Sequence, residues 1–449
     1  MENDSLTKSS GGFLSRPVKT IGGELVVPGD KSISHRAILL GSISDGISNF
    51  QGFLNSDDCL ATMAALRSMG VHIELEGTDV RIVGVGLHGL TKPKKQLDLG
   101  NSGTAMRLLA GMLSAQSFSS VLTGDESLRV RPMKRVTVPL SRMGSVINTE
   151  DGLPPLRIQG GNNLVGIDYT LPIASAQVKS ALLIAGLWAK GPTIVRSPGP
   201  SRDHTERMLK SMGVGLLNHR EQIVSLDGPT TLKARGQTIP GDFSSAAFFI
   251  VAGLLASHEG LMLRNVGINP TRTGLLTILK KMGGSIDLLN KRELGTEPVV
   301  DIFVKKSKLK GIKIDHNLVP LAIDEFPVIF VAAAYADGYT TVAGAQELRY
   351  KESDRLHVMS MGLQEIGIET KEIDDGIIIK GGVVHGGCVD SYGDHRIAMS
   401  FAVAGLASQE VIQVKRTDEV STSFPNFLEL ANSSGFAIEP FITAEPLKG

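Results

Sequence analysis

Cysteine, tryptophan and net charge are all scarce in this chain. Its 449 residues hold two cysteines, Cys59 and Cys388, and a single tryptophan. Two thiols cannot form a disulfide framework and are too few for a cysteine-built zinc site. The 46 Lys+Arg cancel 46 Asp+Glu, so no overall basic excess draws in nucleic acid or an anionic membrane. Any anion must then be met by a local basic cluster. Long apolar runs are missing too: the stretch 326–336, with Pro327 inside it, falls well short of the ~20 residues that span a bilayer. The first ten residues are polar, without the apolar core of a secretory signal. These absences predict a soluble, cytoplasmic chain with no nucleic-acid or membrane partner. At about 150 residues per domain, its length predicts two or three domains.

Glycine, by contrast, is plentiful, and its spacing carries the architecture. Met-Gly recurs at Met69-Gly70, Met143-Gly144, Met212-Gly213 and Met282-Gly283, with weaker equivalents at Ile366-Gly367 and Ser434-Gly435. The glycine-to-glycine intervals are 74, 69, 70, 84 and 68 residues, which is an internal repeat of six units. Glycine just past a helix end supplies the left-handed conformation of a C-cap, so each pair predicts the end of a helix. A second feature has the same period. Asp30, Asn101, Ser175, Asp242, Asp324 and Asp394 each open a stretch rich in Ala, Leu, Ile, Val and Gly, as N-caps of helices apolar on nearly every face and therefore buried. The other helix of each unit, such as the one after Asp57, is amphipathic. Each unit reads as strand–helix–strand–helix–strand–strand, an α/β architecture with six buried helices inside and sheets outside.

Pro-Gly-Asp occurs at Pro28-Gly29-Asp30 and again 212 positions later at Pro240-Gly241-Asp242. We read these as two chain crossings between a first domain over 30–240 and a second over 13–29 plus 241–449, the second including a first strand near 15–27. Residues 1–12 are expected to be disordered.

Two motifs are misleading. Gly84, Gly86 and Gly89 match G-x-G-x-x-G after a strand, but Pro93 stops the helix that a dinucleotide site requires, so a turn is expected. His204 beside Asp203 and His395 beside Asp394 lack the partners of a metal helix, and hydrogen-bonding roles are expected for both. No metal and no cofactor are expected.

The chemistry collects at the starts of the buried helices. Lys31, Ser32 and Arg36 occupy one start, Gly103 and Arg107 the next, Ser175 and Gln177 the third; Asp324 begins the fifth and His395 with Arg396 the sixth. A helix N-terminus offers unpaired N–H groups and about half a positive charge. Several converging on one place, with Lys and Arg added, suit a small polyanion. Arg129, Arg131 and Arg202 fall in loops. Lys351, Glu352 and Arg355 head a further helix, with Lys351 and Arg355 on one face. A carboxylate inside such a basic cluster suits acid–base chemistry.

Taken together, these segments resemble the 5-enolpyruvylshikimate-3-phosphate synthase family. The resemblance rests on Pro28 through Arg36, Gly100 through Arg107, Arg131-Pro132-Met133, Ser175-Ala176-Gln177, Asp324 through Pro327, Lys351 through Leu356, and Gly393 through Met399, in matching order from about residue 14 to about residue 440. It implies two similar domains of three repeats each, with helices inside. The implied reaction transfers the enolpyruvyl group of phosphoenolpyruvate to the 5-hydroxyl of shikimate 3-phosphate. Lys31, Ser32, Arg36, Ser175, Ala176, Gln177, Arg202, Asp324 and Lys351 would hold shikimate 3-phosphate. Lys31, Gly103, Arg131, Gln177, Arg355 and Arg396 would surround phosphoenolpyruvate. Asp324 would accept the 5-hydroxyl proton and Glu352 would protonate the methylene carbon, with Lys31 as a third catalytic group. The resemblance also implies a monomer, and glyphosate as an inhibitor.

Leu108, Ser127 and Thr422 depart from the more familiar branch of that family, which carries Pro, Arg and Lys there; they match a second branch with glyphosate-tolerant members. Tolerance there accompanies Ala at the position of Gly103, and Gly is kept here, so the response to glyphosate stays open. The rival with the same fold and donor, a UDP-N-acetylglucosamine enolpyruvyl transferase, uses a loop Cys or Asp in its first domain. The first-domain cysteine here, Cys59, lies far from the Arg131 loop in sequence. A catalytically dead scaffold would have lost Asp324 or Glu352, and both are present.

Overall fold

The computed structural model describes residues 10–220 and 222–443. Its first unit shows the plan that the others repeat with variations: strand Gly23–Val26, helix Lys31–Ser42, strand Asp45–Gln51, helix Asp57–Ser68 and the hairpin His72–Glu76 with Asp79–Val85. The first helix of each unit is a core helix. These six are Lys31–Ser42, Gly103–Leu113, Ala176–Gly186, Phe243–Ala256, Phe326–Ala334 and His395–Ala404. The capping chemistry explains where most of them begin. Asp30, Ser102, Ser175, Asp242 and Asp394 each accept a backbone N–H from the first turn of the helix they precede. The outer helices end as the repeat predicts. Gly70, Gly144, Gly213, Gly283, Gly367 and Gly435 all have φ between +89° and +104°, a region where an L side chain is strained.

Buried apolar side chains fall into two clusters. One draws on residues 33–239 and the other on 13–27 together with 243–438. In the second body the three core helices pack against one another; in the first, Gly103–Leu113 packs against both Lys31–Ser42 and Ala176–Gly186. All fourteen residues of Phe243–Ala256 are buried, which accounts for an apolar sequence with no polar face.

Six small sheets surround these helices, and their pairing ties the two bodies together. Gly23–Val26 leads into the first core helix yet pairs in parallel with Leu261–Gly267 of the fourth unit. Gln237–Thr238 leads into the fourth core helix yet pairs in parallel with Asp45–Gln51 of the first. The leading strands are exchanged at the Pro-Gly-Asp segments. There the chain crosses twice in an antiparallel bridge, Gly29 opposite Gly241. The fifth sheet has three strands, with isolated bridges at Lys310 and Lys313 along its edge.

Three expectations change. Residues 1–9 of the expected disordered N-terminus lie outside the described residues, but 10–12 are ordered: Ser10–Ser15 is a strand between Ile412–Lys415 and Ile438–Thr443. It fills the slot that the last unit's own chain leaves empty. The single strand expected near 15–27 is therefore two strands serving different sheets. Lys351 and Glu352 are not helical: a 3-10 turn, Gln346–Tyr350, precedes them, and the helix begins only at Arg355 behind the cap Asp354. The turn after Val85 carries no helix before Gly103, as Pro93 predicts.

Candidate active site

The starts of the core helices from both bodies open on one cleft, a cavity of about 330 Å³. The first body supplies Lys31, Ser32, Gly103, Arg131, Ser175, Ala176, Gln177 and Arg202; the second supplies Asp324, Lys351, Glu352 and Arg396. Cations and helix N-termini thus face the same space, as an anion site requires.

Asp324 is the hub. Its Oδ2 accepts from Arg202 Nη2 at 2.5 Å, and its Oδ1 lies 3.3 Å from Lys351 Nζ and 3.8 Å from Arg355 Nη1. Arg396 Nη1 donates to its backbone carbonyl at 3.1 Å. It does not begin the fifth core helix, as expected, but sits in the turn before it, with Glu325 at the cap position. Burial would raise its carboxyl, but Lys351, Arg202, Arg396 and Arg355 hold it well below the usual carboxylate range. The cations, more than the helix dipole, keep it ionised.

Glu352 is the second carboxylate. Its Oε2 accepts from Arg355 Nη2 at 2.6 Å and its Oε1 lies 3.7 Å from Arg131 Nη1 across the cleft. Burial opposes ionisation here too, but Arg355 and Arg131 outweigh it and hold this carboxyl well below its ordinary value. Arg355 touches both carboxylates and is fixed from behind by Asp394, whose Oδ2 accepts from Nε at 2.7 Å. His395 beside them is held well below the usual histidine range by burial, aided by Lys31 and Arg396, and so is neutral at pH 7.

The other groups expected to hold the substrates line the cleft, with two exceptions. Arg36 is 3% exposed and does not line the cleft. Its nitrogens donate to Thr205 Oγ1 at 2.6 Å, Ser180 Oγ at 2.9 Å and the Ser32 carbonyl at 2.8 Å, so it braces the floor beneath Ser32. Arg355 is 1% exposed and acts from beneath Asp324 and Glu352, its Nη1 without a hydrogen-bond partner among the described residues.

Sequence reasoning missed several partners. Asp58 accepts from Lys31 Nζ at 2.9 Å. Arg107, noticed only as a helix-start cation, donates to Gln177 Oε1 at 2.6 Å, while Gln177 Nε2 donates to Thr104 Oγ1 at 2.9 Å. Burial, with Arg135 and Arg131 nearby, lowers the Arg107 guanidinium to about 10. Arg135 meets Glu347 across the cleft at 2.8 Å. His204, expected to hydrogen-bond, faces Glu297 Oε1 at 2.7 Å, and Asp203, His204 and Glu297 bring ligating atoms within 4.8 Å of one another. Asn269 already donates to both of those carboxylates. The spacing of Asp57 and Asp58 at the start of an outer helix could have flagged Asp58; nothing local marked the cross-cleft pairs.

The comparisons with known proteins point one way. The sequence model of EPSP synthase (3-phosphoshikimate 1-carboxyvinyltransferase) matches residues 15–430. A 3-phosphoshikimate 1-carboxyvinyltransferase of Methylococcus capsulatus is 53% identical over 430 residues, covering 95% of this chain and 98% of its own. A protein of the same name from Legionella pneumophila is 52% identical, covering 96% and 99%. Among solved structures, an EPSP synthase from Acinetobacter baumannii superposes with a TM-score of 0.87 at 50% identity, covering 96% of this chain and 100% of its own. The enolpyruvyl transferase NikO from Streptomyces tendae shares the fold, with a TM-score of 0.79 at 16% identity. Six repeats, buried helices with cationic starts, two carboxylates held in one cleft and near-complete coverage by these relatives lead to one assignment: the chain belongs to the EPSP synthase (3-phosphoshikimate 1-carboxyvinyltransferase) family.

Proposed function

We propose the following division of labour for the reaction of this family. The enzyme transfers the enolpyruvyl group of phosphoenolpyruvate to the 5-hydroxyl of shikimate 3-phosphate by addition and elimination, releasing inorganic phosphate. The observation that carries the assignment of roles is Asp324, gripped by Arg202 of one body and Lys351 of the other.

Shikimate 3-phosphate lies against Lys31, Ser32, Ser175, Ala176, Gln177, Arg202 and Lys351, with Arg36 supporting Ser32 from below. Phosphoenolpyruvate lies among Lys31, Gly103, Arg131, Gln177, Arg355 and Arg396. Both substrates carry several negative charges, and each draws on cations that are paired with Asp324 and Glu352. When the anions of shikimate 3-phosphate engage Arg202 and Lys351, Asp324 loses its strongest partners and becomes more basic. It then takes the 5-hydroxyl proton as the oxygen attacks C2 of phosphoenolpyruvate. Phosphoenolpyruvate likewise neutralises Arg131 and Arg355, so the Glu352 carboxyl rises and takes up the proton that it gives to the methylene carbon. In the elimination step the Glu352 carboxylate takes a proton back from the new methyl group, the C–O bond to phosphate breaks, the double bond re-forms, and the proton held by Asp324 leaves with the phosphate. Lys31 stabilises charge on both substrates. Substrate binding itself thus prepares the base and the acid.

Two finer readings go with this one: the enzyme works as a monomer in the cytoplasm, and glyphosate competes for the phosphoenolpyruvate groups around Gly103. The test is phosphate release from phosphoenolpyruvate with shikimate 3-phosphate, run beside UDP-N-acetylglucosamine. Release with shikimate 3-phosphate is expected; release only with the sugar nucleotide would overturn the reading.

A further inference from the structure

One cation of the cleft is engaged by the protein itself rather than held out to a ligand. Arg272 lines the cavity but is 3% exposed, at the point where the chain crosses between the bodies. The two crossing segments hold each other by reciprocal backbone bonds, Asp30 N to the Pro240 carbonyl at 2.9 Å and Asp242 N to the Pro28 carbonyl at 2.8 Å. They are packed too tightly for side chains: a Cβ on Gly29 would lie 1.7 Å from the Gly52 carbonyl oxygen. Asp30 caps the first core helix and Asp242 the fourth.

Both of these aspartates bond Arg272. Its Nη1 donates to Asp30 Oδ2; its Nη2 donates to Asp242 Oδ1 at 3.0 Å and to Ser244 Oγ at 2.7 Å. Ser244 Oγ in turn donates to Glu325 Oε1 at 2.5 Å, which lies 4.0 Å from the same guanidinium. The loop bearing Arg272 is anchored as well, since Asn269 Nδ2 donates to Asp203 Oδ1 at 2.6 Å and Glu297 Oε2 at 2.8 Å. Three carboxylates in a dry site share this one guanidinium, and removing it takes away the cation common to all three.

Two of these carboxylates are chain neighbours of substrate-facing groups. Lys31 follows Asp30, and Asp324 precedes Glu325. We propose that Arg272 is a positioning residue at the hinge. By holding Asp30, Asp242 and Glu325 on one guanidinium it sets the starts of the first, fourth and fifth core helices, and with them the distance between Lys31 of one body and Asp324 of the other. It touches neither substrate and acts on both sites at once.

The test replaces Arg272 by Met, which keeps length and loses charge. Steady-state kinetics give KM and kcat for each substrate. Spin labels on Val138→Cys and Val383→Cys, in a Cys388→Ser background, report the distance between the bodies with shikimate 3-phosphate bound. These positions are exposed and lie one in each body. Arg272→Met is expected to raise KM for both substrates tenfold or more and to lengthen or broaden the label distance. Arg272→Lys, which keeps the charge but cannot span two carboxylates, should recover part of both. The proposal requires both changes. Wild-type KM values, a rise for one substrate only, or an unchanged distance would each overturn it, even beside a lowered melting temperature. If the Met variant does not fold, the Lys variant decides alone: wild-type KM values and distance in it refute the hinge role. Shikimate 3-phosphate serves as the probe because of the functional reading above. Turnover by the unsubstituted enzyme in the same assay tests that reading separately.

Discussion

The two bodies follow one plan with different materials. The second is aromatic: Phe249 lies within 5.7–6.3 Å, centroid to centroid, of Phe424, Phe427 and Phe436, and Phe326 stacks near Phe330. The first has few buried rings and fills its core instead with methionines, among them Met63, Met106, Met112, Met133 and Met208. The same repeat survives both choices because the spacing of apolar positions and caps sets the fold, while side-chain shape only completes the packing. The site is divided in a parallel way. The first body presents Lys31, Gly103 and Gln177 from helix starts, where backbone geometry is rigid. The second presents both carboxylates from turns just ahead of helices. On the proposed roles, several anion-binding groups sit at helix starts, and both proton-handling carboxylates sit in turns that bring cations round them.

The largest test of this division is to remove the two carboxylates. Asp324→Asn should bind both substrates and lose on the order of 10²–10⁴ in kcat, the usual cost of losing a general base. Glu352→Gln should lose a similar factor and also slow deuterium incorporation into the methylene carbon of phosphoenolpyruvate. Measured kcat, substrate Kd and deuterium uptake check both. A loss lying wholly in Kd would put either residue back among the binding groups.

The contrast between the cores comes next. Phe249→Ala should cost about 3–5 kcal/mol, since a buried ring leaves a cavity its rigid aromatic neighbours cannot fill. Met112→Ala in the first body should sit at the low end of about 2–5 kcal/mol, because flexible methionines collapse into the space. Urea unfolding of both variants measures the difference, and equal losses would remove the distinction between the two cores.

Gly103→Ala probes the first body's helix starts. Its Cβ would lie 2.9 Å from Arg107 Nη1 and 3.3 Å from Arg131 Nη1, mobile ends that can shift, so the fold should persist. The methyl should weaken glyphosate, the longer occupant, by about tenfold more than phosphoenolpyruvate, within the about 1–3 kcal/mol that one methyl group decides. Inhibition constants against KM check it, and equal weakening of both would remove Gly103 from the pocket.

The smallest effect is a pH slope. His35 is fully buried, with Nδ1 2.9 Å from Thr62 Oγ1; burial, reinforced by Lys31 and Arg36, lowers it to about 3. Below about pH 6.5 the unfolded chain takes a proton that the folded chain refuses. Its contribution to stability is therefore complete above that pH and is lost as pH falls, by up to about 1.4 kcal/mol per unit. His35→Gln should flatten the change in urea midpoint between pH 7 and pH 5. An unchanged slope would show that His35 titrates normally.

What the sequence by itself determined is what short-range physics can write. A cap such as Asp242 and a glycine such as Gly213 specify helix ends from a few neighbouring residues, and the repetition of those signals specifies six units. The helix starts that carry Lys31, Gly103, Gln177 and Arg396 were legible for the same reason. Glu352 was legible as a residue but misplaced on a helix, because the helix starts only behind the Asp354 cap, whose side chain accepts the N–H of His357. Only the tertiary structure decided that Ser10–Ser15 closes the last sheet, that Asp58 answers Lys31, and that Arg272 joins the two crossings. Each of these unites segments far apart in sequence through packing and charge compensation in a dry interior, and no local pattern encodes which distant partner will be there.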